Sequence, residues 1–208
     1  MRTPAAVVLD YGNVLSRPQP AGDLARVEAL AGLPGQRLWP AYWAEREDYD
    51  RGTVDGPGYW ARIGDRLGRS WAGQVVTELV RADAESWAHP DPVMVAWAAE
   101  LARAGVRTAL LSNAPADLRD LIVERFAWAA ELDQRTFSCE VGAVKPEAGI
   151  YAHCLAGLGV EPAQALLVDD RRANVDGAVV AGMAGLVFTT PAALGAGLRG
   201  TGLPVPAA

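Results

Sequence analysis

Four short, continuously apolar runs stand out along the chain, at residues 5–9, 108–111, 165–168 and 185–188. Each run is bounded by polar or turn-forming residues. A strand with one solvated face alternates apolar and polar side chains, whereas a strand buried on both faces is apolar throughout. The pattern therefore predicts four strands of a parallel sheet that is covered on both sides.

Segments with helical character lie between these runs. Asp91 can cap a helix that has Pro92 in its first position. Glycine closes three of the segments, at Gly105, Gly159 and Gly182. The predicted helices cover residues 93–104, 116–132, 147–158 and 174–181. This alternation of strands and helices predicts a doubly wound, Rossmann-like α/β fold.

Residues 17–89 interrupt the alternation, because they contain no convincing strand of a parallel sheet. Helical pieces are predicted there at residues 22–30, 42–46, 58–67 and 71–87. Five of the seven tryptophans lie in the same stretch, namely Trp39, Trp43, Trp60, Trp71 and Trp87. We expect a helical domain at 17–89, inserted into an α/β core made of 1–16 and 90–208. The Gly- and Pro-rich end, 191–208, is expected to form a short helix and a frayed tail.

Composition narrows the choice of partners. The net charge is −6, and no run of Lys or Arg builds a basic stripe, so neither nucleic acid nor an anionic membrane is an expected partner. No signal peptide or long apolar span is recognisable. Cys139 and Cys154 belong to no metal-binding or C-x-x-C pattern and are expected to be free thiols. We expect a cytoplasmic protein, monomeric or homodimeric, with a small-molecule substrate.

Polar residues follow the predicted strands where a doubly wound sheet places its working groups. Those residues are Asp10, Ser112, Asn113, Asp169 and Asp170, and Lys145 lies in the loop before the predicted helix 147–158. Several carboxylates close together repel one another unless a cation neutralises them. Oxygen ligands in small number suit Mg²⁺, which tends to bind together with a substrate phosphate. A carboxylate can also attack phosphorus and form an acyl phosphate.

Supporting groups for a phosphate are present in the same segments. Backbone N–H groups of the Gly12-Asn13 turn can cradle phosphate oxygens, and Ser112 and Lys145 can hold the remainder. Each feature alone has an ordinary explanation: an Asp-Asp pair before a helix is usually a cap, and a Lys-Pro pair is usually a solvated charge. Their occurrence in order at successive strand ends carries the prediction.

Four segments resemble the conserved motifs of the haloacid dehalogenase-like (HAD) superfamily. They are Asp10-Tyr11-Gly12-Asn13-Val14-Leu15, Leu111-Ser112-Asn113, Glu140-Val141-Gly142-Ala143-Val144-Lys145-Pro146, and Leu167-Val168-Asp169-Asp170-Arg171-Arg172-Ala173-Asn174. The insert at 17–89 resembles the helical cap, of the C1 type, that closes over the site in this superfamily. Motifs and core elements together cover about two-thirds of the chain.

The resemblance implies a role for each residue. Asp10 would be the nucleophile and a Mg²⁺ ligand, with the Gly12 carbonyl and Asp170 completing the protein ligands. Ser112, Asn113 and Asn13 would hold the phosphoryl group, and Lys145 would neutralise the nucleophile and the phosphate. Asp169 and Asn174 would position waters or Lys145, and the division of roles between Asp169 and Asp170 stays open.

One departure from the family pattern concerns Gly12. Phosphatases of the superfamily usually carry a second aspartate there, which acts as general acid and then as general base. Such help is worth about 10²–10⁴ in rate. The Asp-x-Gly-Asn-Val form resembles a branch that includes sugar-1-phosphate phosphatases, whose leaving group needs less help. A sugar phosphate is therefore one expected substrate.

Two other functions stay open beside a phosphatase. A 2-haloacid dehalogenase would use Asp10 to displace halide without a metal, but that group usually has tyrosine two residues after the nucleophile, and here it is Tyr11. A catalytically weak scaffold that binds a ligand or partner is the other alternative. In the insert, Trp43, Arg46 or Arg51 would select the substrate if the charged segment 45–52 is more than a solvated helix end.

Overall fold

A parallel five-stranded sheet forms the centre of the molecule, in a computed structural model that describes residues 3–207. The strands are β1 (Ala6–Leu9), β2 (Arg107–Ser112), β3 (Gln134–Phe137), β4 (Ala165–Asp169) and β5 (Ala184–Val187). Their order across the sheet is β3-β2-β1-β4-β5. At the centre of the sheet, Val8 of β1 lies opposite Ala109 of β2 on one side and Leu167 of β4 on the other. The predicted doubly wound α/β fold is confirmed.

At least one helix follows every strand. Between β1 and β2 lie α1 (Ala21–Ala31), α2 (Gly35–Arg51), α3 (Gly56–Leu67), α4 (Gly73–Ser86) and α5 (Pro92–Arg103). After β2 follow α6 (Ala116–Arg125), α7 (Ala127–Ala130), α8 (Ser138–Val141), α9 (Ala148–Leu158), α10 (Arg172–Val180) and α11 (Pro191–Gly197). A wide helical turn, Tyr11–Leu15, follows β1, and a single 3₁₀ turn, Pro162–Gln164, precedes β4. No helix in residues 3–207 is long and apolar enough to cross a membrane.

Both faces of the sheet are covered, which explains the unbroken apolar runs. Val7 and Leu9 point into a core shared with Trp97 of α5. Ala6 and Val8 point to the opposite side, into a core shared with α9 and α10. Because successive side chains of a strand alternate between faces, the fully buried strands β1 and β4 need apolar residues at nearly every position.

The helices α1–α4 have a hydrophobic cluster of their own, built largely from aromatic side chains. Tyr49 and Tyr59 stack with ring centroids 4.3 Å apart, and Trp60 packs edge-to-face against Tyr59 at 5.8 Å. Such pairs add about 0.5–1.5 kcal/mol each beyond the area that they bury. We refer to α1–α4 as the cap helices.

The sequence pattern missed strand β3 and misjudged the helix predicted at 116–132. β3 is a four-residue edge strand whose first half is exposed, so it has no continuous apolar run. The helix stops at Arg125 because Phe126 adopts an extended conformation (φ −112°, ψ 97°), and only the short α7 follows. The helical spacing of apolar residues continues from α6 into α7, so the sequence pattern gives no sign of the break at Phe126.

Two further expectations were wrong. Helix α2 spans Gly35–Arg51 rather than 42–46, and it tolerates Pro40 in its interior. Leu38 and Tyr42, one turn apart on either side of this proline, are both completely buried, and that burial offsets the lost hydrogen bond. The tail is packed on the core at Leu203 and Pro204 rather than frayed, because Leu203 is buried and Trp97 Nε1 donates a hydrogen bond of 3.0 Å to the Pro204 carbonyl.

Candidate active site

The predicted site residues come together at the carboxyl edge of the sheet. Asp10 follows β1 directly, Ser112 is the last residue of β2, and Asp169 is the last residue of β4. Lys145 lies in the loop between α8 and α9 and reaches the same edge. Parallel strands place their carboxyl ends side by side, so residues far apart in sequence become neighbours here.

Lys145 is at the centre of this arrangement. Its Nζ lies 2.8 Å from Asp10 Oδ1 and 2.6 Å from Asp169 Oδ2, and it donates to the Leu111 carbonyl at 2.8 Å. Burial favours the neutral amine, but the two carboxylate charges and the hydrogen bonds outweigh it and raise the pKa of Lys145. The ammonium therefore stays charged at neutral pH and joins the two carboxylates.

Both carboxylate oxygens of Asp169 are occupied. Asn174 Nδ2 lies 2.9 Å from Oδ1 and 3.0 Å from Oδ2, and the Arg171 backbone N–H donates to Oδ1 at 2.8 Å. Together with Lys145 these donors surround a side chain that is completely buried. Asp169 is thus held by four hydrogen bonds, one of them from Lys145.

Asp10 is held through one oxygen only. Its Oδ1 accepts from the Tyr11 N–H at 2.7 Å and contacts Lys145, whereas Oδ2 receives no hydrogen bond within residues 3–207. Burial, with the charge of Asp169, raises the pKa of Asp10 to about 7, although Lys145 acts in the opposite direction. One oxygen of a well-anchored carboxylate is therefore free to react or to bind a cation.

Asp170 completes a group of three carboxylates. Asp10, Asp169 and Asp170 each offer an oxygen within 4.8 Å of the other two. Asn13 Nδ2 donates to Asp170 Oδ2 at 2.9 Å, from a backbone in the left-handed region (φ 59°) that asparagine tolerates better than most residues. Three negative charges face one lysine, so a divalent cation could bind here.

Ser112 and Asn113 differ in how they are used. Ser112 is buried and lines the cavity, and its hydroxyl makes no hydrogen bond to the residues that the structure describes. Asn113 donates from Nδ2 to the Lys145 carbonyl at 3.0 Å and accepts at Oδ1 from the Lys145 N–H at 2.7 Å. Both ends of the Asn113 side chain therefore fix the backbone of Lys145.

A cavity of about 380 Å³ opens above these groups, with the cap helices as its far wall. Its lining residues are Asp10, Tyr11, Gly12, Asn13, Trp43, Arg46, Asp50, Trp87, Ser112, Asn113, Leu118, Lys145, Asp170, Arg171 and Asn174. Trp43 and Trp87 meet edge-to-face across it, with ring centroids 6.5 Å apart. The cavity has a charged floor and a partly aromatic roof.

Arg46 and Asp50 form the polar part of this roof. Arg46 Nε donates to Asp50 Oδ1 at 2.7 Å, and Arg46 Nη1 contacts Asp83 Oδ2 at 3.3 Å and the Tyr42 hydroxyl. Arg51 does not line the cavity and instead pairs with Glu47 and Glu147. Of the three cap residues considered from the sequence, Trp43 and Arg46 thus reach the cavity.

Residues 5–182 match the family of haloacid dehalogenase-like hydrolases. The chain belongs to this family. The expected resemblance is confirmed, and this HAD-like chain is therefore a hydrolase by family. The match spans four of the five strands, all four cap helices and every residue that lines the cavity.

Relatives of this HAD-like chain include enzymes with named activities. It is 26% identical to the sesquiterpene phosphatase astK of Aspergillus oryzae over 187 residues, which are 88% of this chain and 89% of that one. The HAD family enzyme bt-2542 of Bacteroides thetaiotaomicron, solved with magnesium and inorganic phosphate, superposes with a TM-score of 0.69 at 15% identity, covering 88% and 93% of the two chains. L-2-haloacid dehalogenase from Xanthobacter autotrophicus superposes with a TM-score of 0.68 at 21% identity, covering 98% and 85%.

The sequence did not predict that four further residues line the cavity of this HAD-like site, namely Asp50, Trp87, Leu118 and Arg171. Leu118 lies on α6, beyond the motif residues, whereas Arg171 lies within the fourth motif but was given no role there. Asp50 and Trp87 come from the ends of α2 and α4. The spacing of Arg46 and Asp50, one helical turn apart, was a signal that these two charges share a face, but not that the face points at the cavity.

Proposed function

We propose that this HAD-like hydrolase is a Mg²⁺-dependent phosphatase, which transfers the phosphoryl group of a small phosphorylated metabolite to Asp10. The observation that carries the proposal is the arrangement around this carboxylate. One oxygen is fixed by Lys145 and the Tyr11 N–H, and the other is free at the floor of a cavity. A free, oriented carboxylate oxygen is what nucleophilic attack on phosphorus requires.

The residues around Asp10 fit a magnesium ion. Asp10 and Asp170 both belong to the group of three carboxylates described above, and Asp170 Oδ1 receives no hydrogen bond within residues 3–207. Both oxygens of Asp169 are already used, which supports Asp170 rather than Asp169 as the second carboxylate ligand, with the Gly12 carbonyl as a third. When bound, Mg²⁺ neutralises the phosphate and the developing charge of the transition state.

The chain's own groups account for the remaining requirements. Asp10 Oδ2 attacks phosphorus, and the resulting aspartyl phosphate is then hydrolysed by water. The Ser112 hydroxyl binds a phosphate oxygen as a hydrogen-bond donor. The three N–H groups of Lys145 are already used, so its ammonium stabilises the phosphate through its charge. Asn113 holds the Lys145 backbone in place and is a positioning residue in this proposal rather than a phosphate ligand. The cap helices exclude water from the cavity.

The charges on the cap side of the cavity indicate which class of substrate fits. Arg46 is paired there with Asp50 and Asp83, so this side presents no net positive charge to a second phosphate. Two tryptophan rings supply apolar faces for an uncharged organic group. These features support a phosphomonoester with one phosphate and a neutral remainder, which includes sugar phosphates. The relative in Aspergillus oryzae is named for a sesquiterpene substrate and is consistent with a neutral remainder.

The experiment is phosphate release from a panel of phosphomonoesters, sugar 1-phosphates included, with and without Mg²⁺. Asp10→Asn is the test variant, and Asp176→Asn, an exposed carboxylate on α10, is the matched control. We expect turnover that requires both Mg²⁺ and Asp10. No phosphate release from any ester would contradict the proposal. Release of halide from 2-haloacids would then favour the dehalogenase alternative, and its absence would favour a binding scaffold.

A further inference from the structure

The proposed reaction requires a proton at the oxygen of the leaving group, and Gly12 has no side chain to supply it. A simple alkoxide is a poor leaving group unless it is protonated as the bond to phosphorus breaks. General acid help of this kind is worth about 10²–10⁴ in rate. The question is which other group in the cavity can give and take a proton.

The titratable side chains that line the cavity are Asp10, Tyr11, Arg46, Asp50, Lys145, Asp170 and Arg171. The two arginines stay protonated at any working pH. Burial raises the pKa of Tyr11, and its hydroxyl is already used in a 2.9 Å hydrogen bond to the Trp87 carbonyl. The Lys145 ammonium is held charged by two carboxylates. With Asp10 and Asp170 assigned to nucleophile and metal, Asp50 is the remaining group.

We propose that Asp50, on the cap, is the general acid and base of this enzyme and replaces the carboxylate missing at Gly12. The inference rests on the proposed function, because it names the proton donor of the same reaction. It assigns a catalytic role to a residue of the insert, whereas the nucleophile and the phosphate-binding groups belong to the core.

The geometry of Asp50 suits this role. Arg46 Nε binds Oδ1 at 2.7 Å, and Oδ2 receives no hydrogen bond from the part of the chain that the structure describes. The side chain is 13% exposed, so it is largely desolvated yet borders the cavity. One oxygen is therefore anchored, and the other is free to carry a proton towards the substrate.

The backbone of Asp50 is tied to the phosphate-binding side of the site. Its carbonyl accepts a hydrogen bond from the Ser138 hydroxyl. The same hydroxyl accepts from the Ala114 N–H at 2.9 Å. Ala114 is two residues beyond Ser112, so a single hydroxyl links the cap carboxylate to the segment that carries a phosphate-binding group. This link positions Asp50 relative to the core.

The charges around Asp50 keep it able to exchange a proton near neutral pH. Burial raises the pKa of Asp50 to about 6, with a contribution from Asp83 on α4, while Arg46 on α2 and Arg171 before α10 lower it. Tyr59 on α3 also faces this carboxylate. Both protonation states are therefore accessible over the working range of the enzyme.

The proposed reaction has two steps, and Asp50 transfers a proton in each of them. In the first, Asp10 Oδ2 forms a bond to phosphorus, the bond from phosphorus to the ester oxygen breaks, and the Asp50 carboxylic acid protonates that oxygen to release the alcohol. In the second, the Asp50 carboxylate takes a proton from water as the water oxygen attacks phosphorus. The bond from phosphorus to Asp10 breaks, hydrogen phosphate leaves, and both side chains return to their starting states.

The test compares two substrates of similar size in the Mg²⁺-loaded enzyme. 4-Nitrophenolate leaves phosphorus without a proton, whereas the alkoxide of benzyl phosphate requires one. In Asp50→Asn we expect kcat/KM for benzyl phosphate to fall by about 10²–10⁴, and that for 4-nitrophenyl phosphate by less than about tenfold. The comparison is a ratio within one variant, so a smaller folded fraction does not affect it.

Two further variants sharpen the test. Asp48→Asn makes the same chemical change on an exposed side chain of α2 and should leave both substrates unaffected. Gly12→Asp combined with Asp50→Asn should restore benzyl phosphate hydrolysis, because a Cβ at Gly12 would meet only Trp87, at 3.6 Å.

The pH profile adds a third readout. In the wild type, kcat/KM for benzyl phosphate should decline above about pH 6 as Asp50 loses its proton. This decline should be weaker in Asp50→Asn, because the ionisation of the substrate phosphate contributes equally to both enzymes.

The possible results distinguish a failure of the role of Asp50 from a failure of the proposed phosphatase function. Equal losses for both substrates in Asp50→Asn would show that Asp50 binds substrate or holds the cap, and would overturn the inference alone. A wild-type enzyme that hydrolyses only 4-nitrophenyl phosphate would also overturn it, because no general acid would then be at work. No hydrolysis of either ester by the wild type would overturn the proposed function and the inference together.

Discussion

Lys145 shows how much of the site depends on the choice of a single residue. It is the only lysine in the sequence, and the other 18 of the 19 Lys and Arg residues are arginine. Its ammonium lies between Asp10, Asp169 and the Leu111 carbonyl, all within 2.8 Å. A compact point charge with three donors fits this narrow space, whereas a planar guanidinium would not.

Replacing Lys145 by methionine should cost both stability and activity. The change leaves two buried carboxylates without their cation, and we expect the free energy of unfolding to fall by about 3–5 kcal/mol at neutral pH. Phosphate release should fall at least about 100-fold. Urea denaturation and the phosphate assay measure the two effects.

Arg172→Met is the matched control for this variant, because it breaks an exposed ion pair with Asp176. Its cost should stay below about 1 kcal/mol. If Lys145→Met were no less stable than this control, the ammonium could not be compensating the two carboxylates in the folded protein.

At the scale of elements, the C-terminal end of α2 decides where the cap meets the core. Tyr49 donates to Asp117 Oδ2 of α6 at 2.8 Å, and Arg51 pairs with Glu147 at 2.8 Å. Gly52 ends the helix in a left-handed conformation, and a Cβ there would lie 2.8 Å from the Cys139 carbonyl oxygen. The helix end therefore requires a glycine for two independent reasons.

Gly52→Ala and Gly68→Ala separate these reasons. Gly68 has the same left-handed conformation at the end of α3, but a Cβ there would meet nothing within 4 Å. We expect Gly68→Ala to lower the free energy of unfolding by about 1–2 kcal/mol through backbone strain. Gly52→Ala should cost at least about 1 kcal/mol more, because it also overpacks the contact with Cys139.

Activity provides the second comparison for these variants. Gly52→Ala should reduce phosphate release, since it displaces the end of the helix that carries Asp50, and Gly68→Ala should not. Denaturant unfolding and the phosphate assay are the measurements. Equal stability losses and equal activities would show that the α2 end does not press on the core as the structure describes.

At the scale of the whole molecule, the site is a local excess of negative charge in a chain that already carries −6. Three carboxylates face one ammonium at the carboxyl edge of the sheet. Like charges so close together repel, and the folded state carries that repulsion as a cost. A bound divalent cation should therefore stabilise the entire fold, not only the site.

Magnesium should raise the melting temperature. An ion present at about 100 times its Kd adds about 2.7 kcal/mol, which corresponds to about 5–10 °C for a chain of this size. Asp170→Asn should abolish most of the rise while leaving the metal-free melting temperature unchanged or higher, because one repelling charge is gone. Thermal melts followed by circular dichroism, with NaCl at matched ionic strength, measure this. An equal rise in Asp170→Asn or in NaCl would contradict a site that includes Asp170.

The sequence alone determined the features that local patterns encode. Strands buried on both faces are almost entirely apolar, and this property revealed β1, β2 and β4. The edge strand β5 was found because its sequence is also apolar, although its residues are half-buried or exposed. The polar residues that end or follow those strands were identified for the same reason. The loss of alternation between 17 and 89 predicted helices without a parallel strand, and α1–α4 fill this stretch. Strand β3 was missed because an exposed edge strand needs no apolar run.

Only the tertiary structure decided which surroundings each site residue has. Asp169 and Asp170 are adjacent in sequence, yet one is enclosed by Lys145 and Asn174 while the other faces the cavity. The place of Asp50 depends on a contact with Ser138, 88 residues away. Such contacts arise when the cap packs on the core, and the energy of that packing is shared among many distant residues. No local pattern of apolar and polar positions encodes it.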